Sequence, residues 1–292
     1  MGPAPLPLLF SHGWPGSFWE VHKILGPLTD PAAYGGDPRD AFSLVAPSLP
    51  GYGFSPDSGR RGLHPGAIGD LFATLMQGVL GYRRFGAQGG DWGAHVLTRL
   101  AHRHPDLVTG LHLNLTNARP HLGDGARPLS QAEAEYLDEQ ARWRLAEGAY
   151  AAIQGTKPQT LAYALTDSPA GLLAWIVEKF RAWSDCGGDV ERAFSKDELL
   201  TNAMIYWVTG SIGSSIRLYY ERDREAWVLG PGERIEVPTR FPAEIWRPPR
   251  EWVERSFDLR RWTEMPRGGH FAALEEPELL VQDVRAFFRP LR

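Results

Sequence analysis

The sequence predicts an α/β fold: a mostly parallel sheet flanked by helices and interrupted by one inserted helical block. Three observations predict it. Short apolar runs alternate with amphipathic helical patterns along both ends of the chain. The middle, from about Leu129 to Leu229, reads as helix after helix with no convincing strand. After that block the alternation of strand and helix resumes. The expected layout is therefore a core built from residues 1–128 and 231–292, with residues 129–230 as a helical cap. Such a cap would sit over the carboxyl edge of the sheet, where open α/β sheets bind ligands.

Strands are expected at Leu6–Ser11, Phe42–Pro47, Arg84–Gln88, Gly110–Leu115, Arg234–Pro238 and Leu259–Met265. Core helices are expected at Phe18–Leu25, Pro65–Leu80, Trp92–His104, Arg250–Ser256 and Pro277–Phe288. In the cap they are expected at Ser130–Glu147, Thr160–Leu165, Pro169–Ser184, Asp197–Thr209 and Ile212–Trp227.

Composition narrows the function. A net charge of −4 gives no electrostatic case for nucleic acid or an anionic membrane. Cys186 is the single cysteine, so no internal disulfide can form, which fits a reducing cytoplasm. No run of 18 or more apolar residues suggests a membrane anchor. The first residues have no basic region and no long apolar stretch of a signal peptide. Eleven tryptophans, several beside the motifs below, suggest an aromatic-lined cavity, although core packing explains a single Trp equally well.

The central motif is Gln88-Gly89-Gly90-Asp91-Trp92-Gly93, between an expected strand and an expected helix. It has the layout of a nucleophile elbow, in which small residues permit a sharp, strained turn. The turn lifts residue 91 to the N-terminus of the following helix, whose dipole favours a carboxylate. Taken alone, Asp91 could equally be an N-cap. Two further motifs shift that balance. Phe10-Ser11-His12-Gly13-Trp14-Pro15-Gly16-Ser17 resembles the oxyanion loop of α/β-hydrolases, with the backbone N–H groups of Trp14 and Trp92 as donors. Arg267-Gly268-Gly269-His270-Phe271 follows the last expected strand, about 180 residues after the elbow, in the chain order of a catalytic histidine. His102 and His104 fall at a helix end and carry no metal-ligand pattern; neither a metal nor a cofactor is expected.

The acid that would orient His270 is expected at Glu244, just past a strand end and 26 residues before it. The stretch Thr116-Asn117-Ala118-Arg119 offers no acid, Glu236 falls within a strand, and Glu251 and Glu254 read as exposed helix positions. A carboxylate nucleophile attacks an electrophilic sp³ carbon and forms an ester with itself. Epoxides and alkyl halides both suit it. An epoxide also needs a proton donor, and two cap segments, around Tyr150 and around Tyr219-Tyr220, supply phenols that stay protonated at neutral pH.

Nearly the whole chain resembles the microsomal and juvenile-hormone-type epoxide hydrolases and their bacterial relatives. The matching stretches are His12–Ser17, Gly89–Gly93, Ile153–Pro158, Thr166–Pro169, Leu200-Thr201-Asn202, Ser214–Tyr219 and Arg267–Gln282. The resemblance implies Asp91 as nucleophile, His270 with Glu244 as the base pair, and Tyr150 with Tyr219 as acids that bind the oxide oxygen. Tyr220 is the rival of Tyr219, and Trp14, Trp92 and Tyr220 are candidate substrate contacts. It also implies a cis bond at Trp14–Pro15. The expected partners are a small epoxide and water.

The runner-up activities are a haloalkane dehalogenase with the same nucleophile and a non-catalytic ligand binder on the same fold. Against the first, Trp14 stands where a polar halide-binding side chain is usual. Against the second, no triad position is missing. The resembled proteins carry an N-terminal segment that supplies two early strands, and this chain is expected to be a truncated form. Phe42–Pro47 would then form a bare, apolar sheet edge through which copies could associate.

Overall fold

In the computed structural model the described residues are 4–57, 59–115, 120–225, 227, 229, 235–236 and 247–292. The strands are β1 (Leu6–Ser11), β2 (Phe42–Val45), β3 (Phe85–Gly89), β4 (Val108–Leu113), β5 (Ile235–Glu236) and β6 (Phe257–Asp258). β1 to β4 form one parallel sheet in the order β2-β1-β3-β4. β5 and β6 form a short parallel pair of their own. The α-helices are α1 (Leu25–Thr29), α2 (Pro65–Ala73), α3 (Asp91–Arg103), α4 (Gln131–Glu147), α5 (Ala149–Thr156), α6 (Pro158–Asp167), α7 (Pro169–Trp183), α8 (Lys196–Thr209), α9 (Ile212–Arg222), α10 (Arg250–Glu254), α11 (Ala272–Glu275) and α12 (Pro277–Phe288).

Both faces of the sheet are covered, and the run Leu8-Leu9-Phe10 shows how. Leu9 joins the core that contains Ala87, Leu111 and the inward faces of α2 and α3. Its neighbours Leu8 and Phe10 point the other way, into a second core with Val284, Phe287 and Phe288 of α12. A strand buried on both faces has no polar alternation, which is why β1 reads as a continuous apolar run. Among the described residues β2 pairs only with β1 and lies at an edge of the sheet.

Helices α4 to α9 follow one another with no strand among the described residues between β4 and β5. Capping boxes start α4 at Ser130/Glu133 and α8 at Ser195/Glu198. Glu133 also holds Arg127 and Arg255, so the first turn of α4 is tied to the chain that follows α10. Those ion pairs keep its carboxyl low, at about 2.

Several elements differ from the sequence reading. Among the described residues Leu259–Met265 holds only a single bridge, at Glu264, and the strand falls two residues earlier, at Phe257–Asp258. The later segment is anchored by side chains instead, because Arg261 and Thr263 both bind the buried carboxylate of Asp283 in α12. The helix expected over Pro65–Leu80 is α-helical to Ala73 and then widens to a π-helix over Thr74–Val79. The helix expected over Phe18–Leu25 is a 3₁₀ turn, Phe18–Lys23, followed by α1. α9 stops at Arg222, five residues before Trp227. A helix absent from the sequence reading, α5, forms over Ala149–Thr156. No described helix is long and apolar enough to cross a membrane.

Candidate active site

Asp91 is the first residue of α3, and Gly90 is its N-cap in extended conformation. Its φ of 46° is the only positive value outside glycine among the described residues. Such a conformation costs on the order of 1–3 kcal/mol and persists only where the surroundings enforce it. Here they do. A Cβ at Gly93, one turn into α3, would stand 1.9 Å from the carbonyl oxygen of Ser11 at the end of β1. The elbow is therefore pressed against the neighbouring strand and has no room for a larger residue.

Gly13 meets the elbow from the other side, where a Cβ would lie 2.2 Å from Asp91 Oδ1. That closeness brings the next amide into line, and Trp14 N–H donates to Asp91 Oδ1 at 2.8 Å. The Trp14–Pro15 peptide is cis. The amide of Trp92 lies in the first turn of α3, where backbone N–H groups have no intrahelical acceptor.

The loop is held on three sides. His12 Nε2 accepts from Leu49 N–H at 3.1 Å, so its Nδ1 donates to Gly13 O at 2.9 Å. Burial lowers the His12 pKa to about 4, which keeps the ring neutral for this double role. Asn202 Nδ2 donates to Pro15 O at 2.8 Å, and Tyr206 Oη donates to Gly16 O, both from α8. Helix α8 therefore grips the backbone of the loop.

His270 is buried and its Nε2 stands 3.6 Å from Asp91 Oδ2. Its backbone N–H donates to Trp183 O, at the end of α7, at 3.0 Å. Trp183 also packs edge-on to the imidazole with centroids 5.2 Å apart. The two oxygens of Asp91 are thus distinguished: Oδ1 lies in the N–H cradle and Oδ2 faces the imidazole. Glu244, chosen as the partner of His270, lies outside the described residues.

Tyr150 and Tyr219 are both buried, and their rings meet at 5.8 Å in a T-shaped contact. Tyr150 stacks on Trp14 with centroids 5.5 Å apart, and Tyr219 stands edge-on to Trp92 at 4.6 Å. Burial, and after it the negative charge of Asp91, raises the Tyr150 phenol above its ordinary value. Tyr219 is raised first by burial, then by Tyr150 and Asp91. Both therefore carry their protons across the physiological range. Tyr220, the rival of Tyr219, is placed elsewhere: it is part-exposed, with the Arg224 guanidinium 3.2 Å from its ring centroid. It does not line the cavity that Asp91 opens into.

That cavity has a volume of about 640 Å³. Asp91, Trp92, Tyr150 and Tyr219 face one part of it, and Leu137, Trp143 and Trp252 supply apolar wall. Arg144, Arg222 and Asp223 add polar groups. The size and mixed lining suit a small organic molecule.

Glu20 escaped the sequence reading. It sits just beyond the Gly13–Ser17 loop, with its carboxyl against Gly16, where a Cβ would be 1.8 Å from Oε1. Burial pushes its pKa up to about 8; His270 lowers it and Asp91 raises it further. It is therefore mostly protonated at neutral pH and adds little charge beside Asp91. Nothing in a lone Glu on a short helix signals this; only the fold brings it behind the loop.

Comparison with known proteins agrees with this architecture. A family model described as alpha/beta hydrolase fold matches residues 7–220. The crystal structure of juvenile hormone epoxide hydrolase from the silkworm Bombyx mori superposes with a TM-score of 0.86 at 33% identity, covering 100% of this chain and 73% of that one. The class is thus that of the α/β hydrolases. Two curated relatives are each 43% identical over 98% of this chain: a protein of Stigmatella aurantiaca, of which this chain spans 65%, and epoxide hydrolase 1 of Oryctolagus cuniculus, of which it spans 68%. The chain belongs to the epoxide hydrolase family of the α/β-hydrolase fold.

Proposed function

We propose that this chain hydrolyses epoxides to vicinal diols through an ester on Asp91. The observation that carries the reading is the pair of buried, protonated phenols, Tyr150 and Tyr219, facing the same cavity as the Asp91 carboxylate. A carboxylate alone suits epoxides and alkyl halides alike. A proton donor pair is needed only where the leaving oxygen stays on the substrate. The names of the relatives support the same activity.

In this mechanism Asp91 Oδ2 attacks one oxirane carbon while the bond from that carbon to the ring oxygen breaks. The oxygen takes a proton from one phenol and a hydrogen bond from the other. His270 Nε2 then removes a proton from water, whose oxygen attacks Cγ of the ester. Negative charge gathers on Oδ1, where Trp14 N–H already donates and the Trp92 amide is placed to join. Collapse releases the diol with the former Oδ2, and the proton on His270 replaces the one the phenol lost. The sum is one water added to one epoxide. Glu244 is proposed as the acid that orients His270.

The direct test is a panel of styrene-type, terminal aliphatic and bulky terpenoid epoxides beside a haloalkane panel. Diol release with no halide release is expected. Halide release without diol would replace this reading with the dehalogenase one, and substrate binding without either product would make the chain a binder.

Tyr150→Phe and Tyr219→Phe are each expected to slow formation of the alkyl-enzyme by roughly 10²- to 10⁴-fold, the usual range for one positioned acid, and the double change far more. Stopped-flow tryptophan fluorescence reads this step, since Trp14 and Trp92 touch the two rings. Wild-type alkylation in the double variant would remove the phenols from the mechanism.

A further inference from the structure

Lys179 of α7 is a buried cation that the mechanism above does not use. Its side chain is 8% exposed, and its Nζ lies 4.7 Å from the ring centroid of Tyr150 and 5.7 Å from that of Trp183. Its ion-pair partner is the adjacent Glu178, at 2.6 Å, whose side chain is 53% exposed. Taking an ammonium out of water is expensive, and an exposed partner recovers only part of that. A lysine at this position could have turned outward, as Glu178 does. It instead lies over a phenol ring that also contacts Trp14 and Tyr219.

We propose that Lys179 acts through Tyr150: its ammonium stabilises the negative charge that the phenol oxygen takes up while donating its proton to the opening epoxide. The inference rests on Tyr150 being an acid in the proposed reaction. A cation over an aromatic face is attracted by the ring, and more strongly as the ring becomes phenolate. The effect is therefore larger in the transition state than in the ground state, which is the condition for acceleration. The step balances as before: the phenol O–H bond breaks, the proton goes to the epoxide oxygen, and the phenolate remains until His270 returns a proton.

The charges that bear on Tyr150 are Asp91 and Glu178, which oppose phenolate, and Arg222, which favours it; Tyr219 adds a hydrogen bond. Arg222 is already held by Asp223 at 2.7 Å. Glu178 is the better hydrated of the two and Lys179 the better buried, so water screens the carboxylate more than the ammonium. Trp183 extends the same helix to His270, through its carbonyl and its ring. One helix thus places a cation at the ring of Tyr150 and holds the backbone of His270.

The test is a double-variant cycle on the rate of alkyl-enzyme formation. Lys179→Met, which keeps the length and the apolar stem, is expected to slow that step about 10-fold, within the range for a desolvated cation on a ring. Lys179→Arg should restore most of it. In the Tyr150→Phe background Lys179→Met should add no further loss, because no proton leaves that ring. Glu178→Gln breaks the same ion pair but keeps the ammonium, and should leave alkylation at or above the wild-type rate. Melting temperatures of all variants separate loss of fold from loss of rate. An equal slowing by Lys179→Met with and without the Tyr150 hydroxyl would overturn the proposal, as would equal slowing by Glu178→Gln. If Tyr150→Phe itself left alkylation unchanged, the failure would lie in the acid role of Tyr150, not in the placement of Lys179.

Discussion

Asp91→Asn is expected to lose epoxide turnover by roughly 10³- to 10⁶-fold, the scale on which removal of a nucleophile acts in a coupled site. The fold should survive. Asn tolerates positive φ better than most residues, so the turn at 46° remains accessible. Its amide oxygen can still accept from Trp14 N–H as Oδ1 does now at 2.8 Å. An unchanged melting temperature beside lost turnover separates chemistry from stability. The decisive measurement uses wild-type protein in ¹⁸O water with substrate below one equivalent. Label is expected in Asp91 first, because the diol of the first turnover carries the old Oδ2. Label found directly in the diol under those conditions would show that water attacks the epoxide itself, and the ester would be abandoned.

His270→Gln should split the reaction in two. Alkylation needs only Asp91 Oδ2 and the phenols, so it is expected to continue. Hydrolysis needs a base to activate water, and its loss costs roughly 10²- to 10⁴-fold. The ester then accumulates. Intact-mass measurement should show one substrate mass added to the protein, and peptide mapping should place it on Asp91. The replacement is conservative where it matters for folding, since the contact to Trp183 O is made by the backbone N–H of residue 270. If substrate binds and no adduct forms, His270 acts earlier than proposed, for instance by setting the charge or orientation of Asp91 across the 3.6 Å gap.

How far the sequence could be read depended on whether each signal was local. β1 runs from Leu6 to Ser11 and α12 from Pro277 to Phe288, both as expected to the residue. Each is bounded by its own strong marker, an apolar run before a glycine loop in one case and a proline at the first helical position in the other. Over Leu259–Met265 only a single bridge forms, at Glu264, and the side chains of Arg261 and Thr263 tie the segment to Asp283. α5 was invisible because it has only eight residues, begins after Gly148 and contains Gly155, too short a run for a helical period to declare itself. Yet that helix carries Tyr150.

By itself the sequence determined the class of fold, the chain order of elbow, helical block and histidine loop, and the identity of Asp91 and His270 as residues that could meet. These follow from glycines and prolines at turns, whose backbone demands are written in single residues and their immediate neighbours. Only the tertiary structure decided which oxygen of Asp91 lies in the N–H cradle, and that Tyr219 rather than its neighbour Tyr220 shares the cavity with Tyr150. It alone brought Glu20 against Gly16 of the Gly13–Ser17 loop and Lys179 over a phenol ring. Adjacent residues on a helix point about 100° apart, so one residue of register on α9 separates a side chain in the cavity from one under Arg224. Burial and charge at a site are sums over distant segments, and no stretch of sequence contains those sums until packing has brought the segments together.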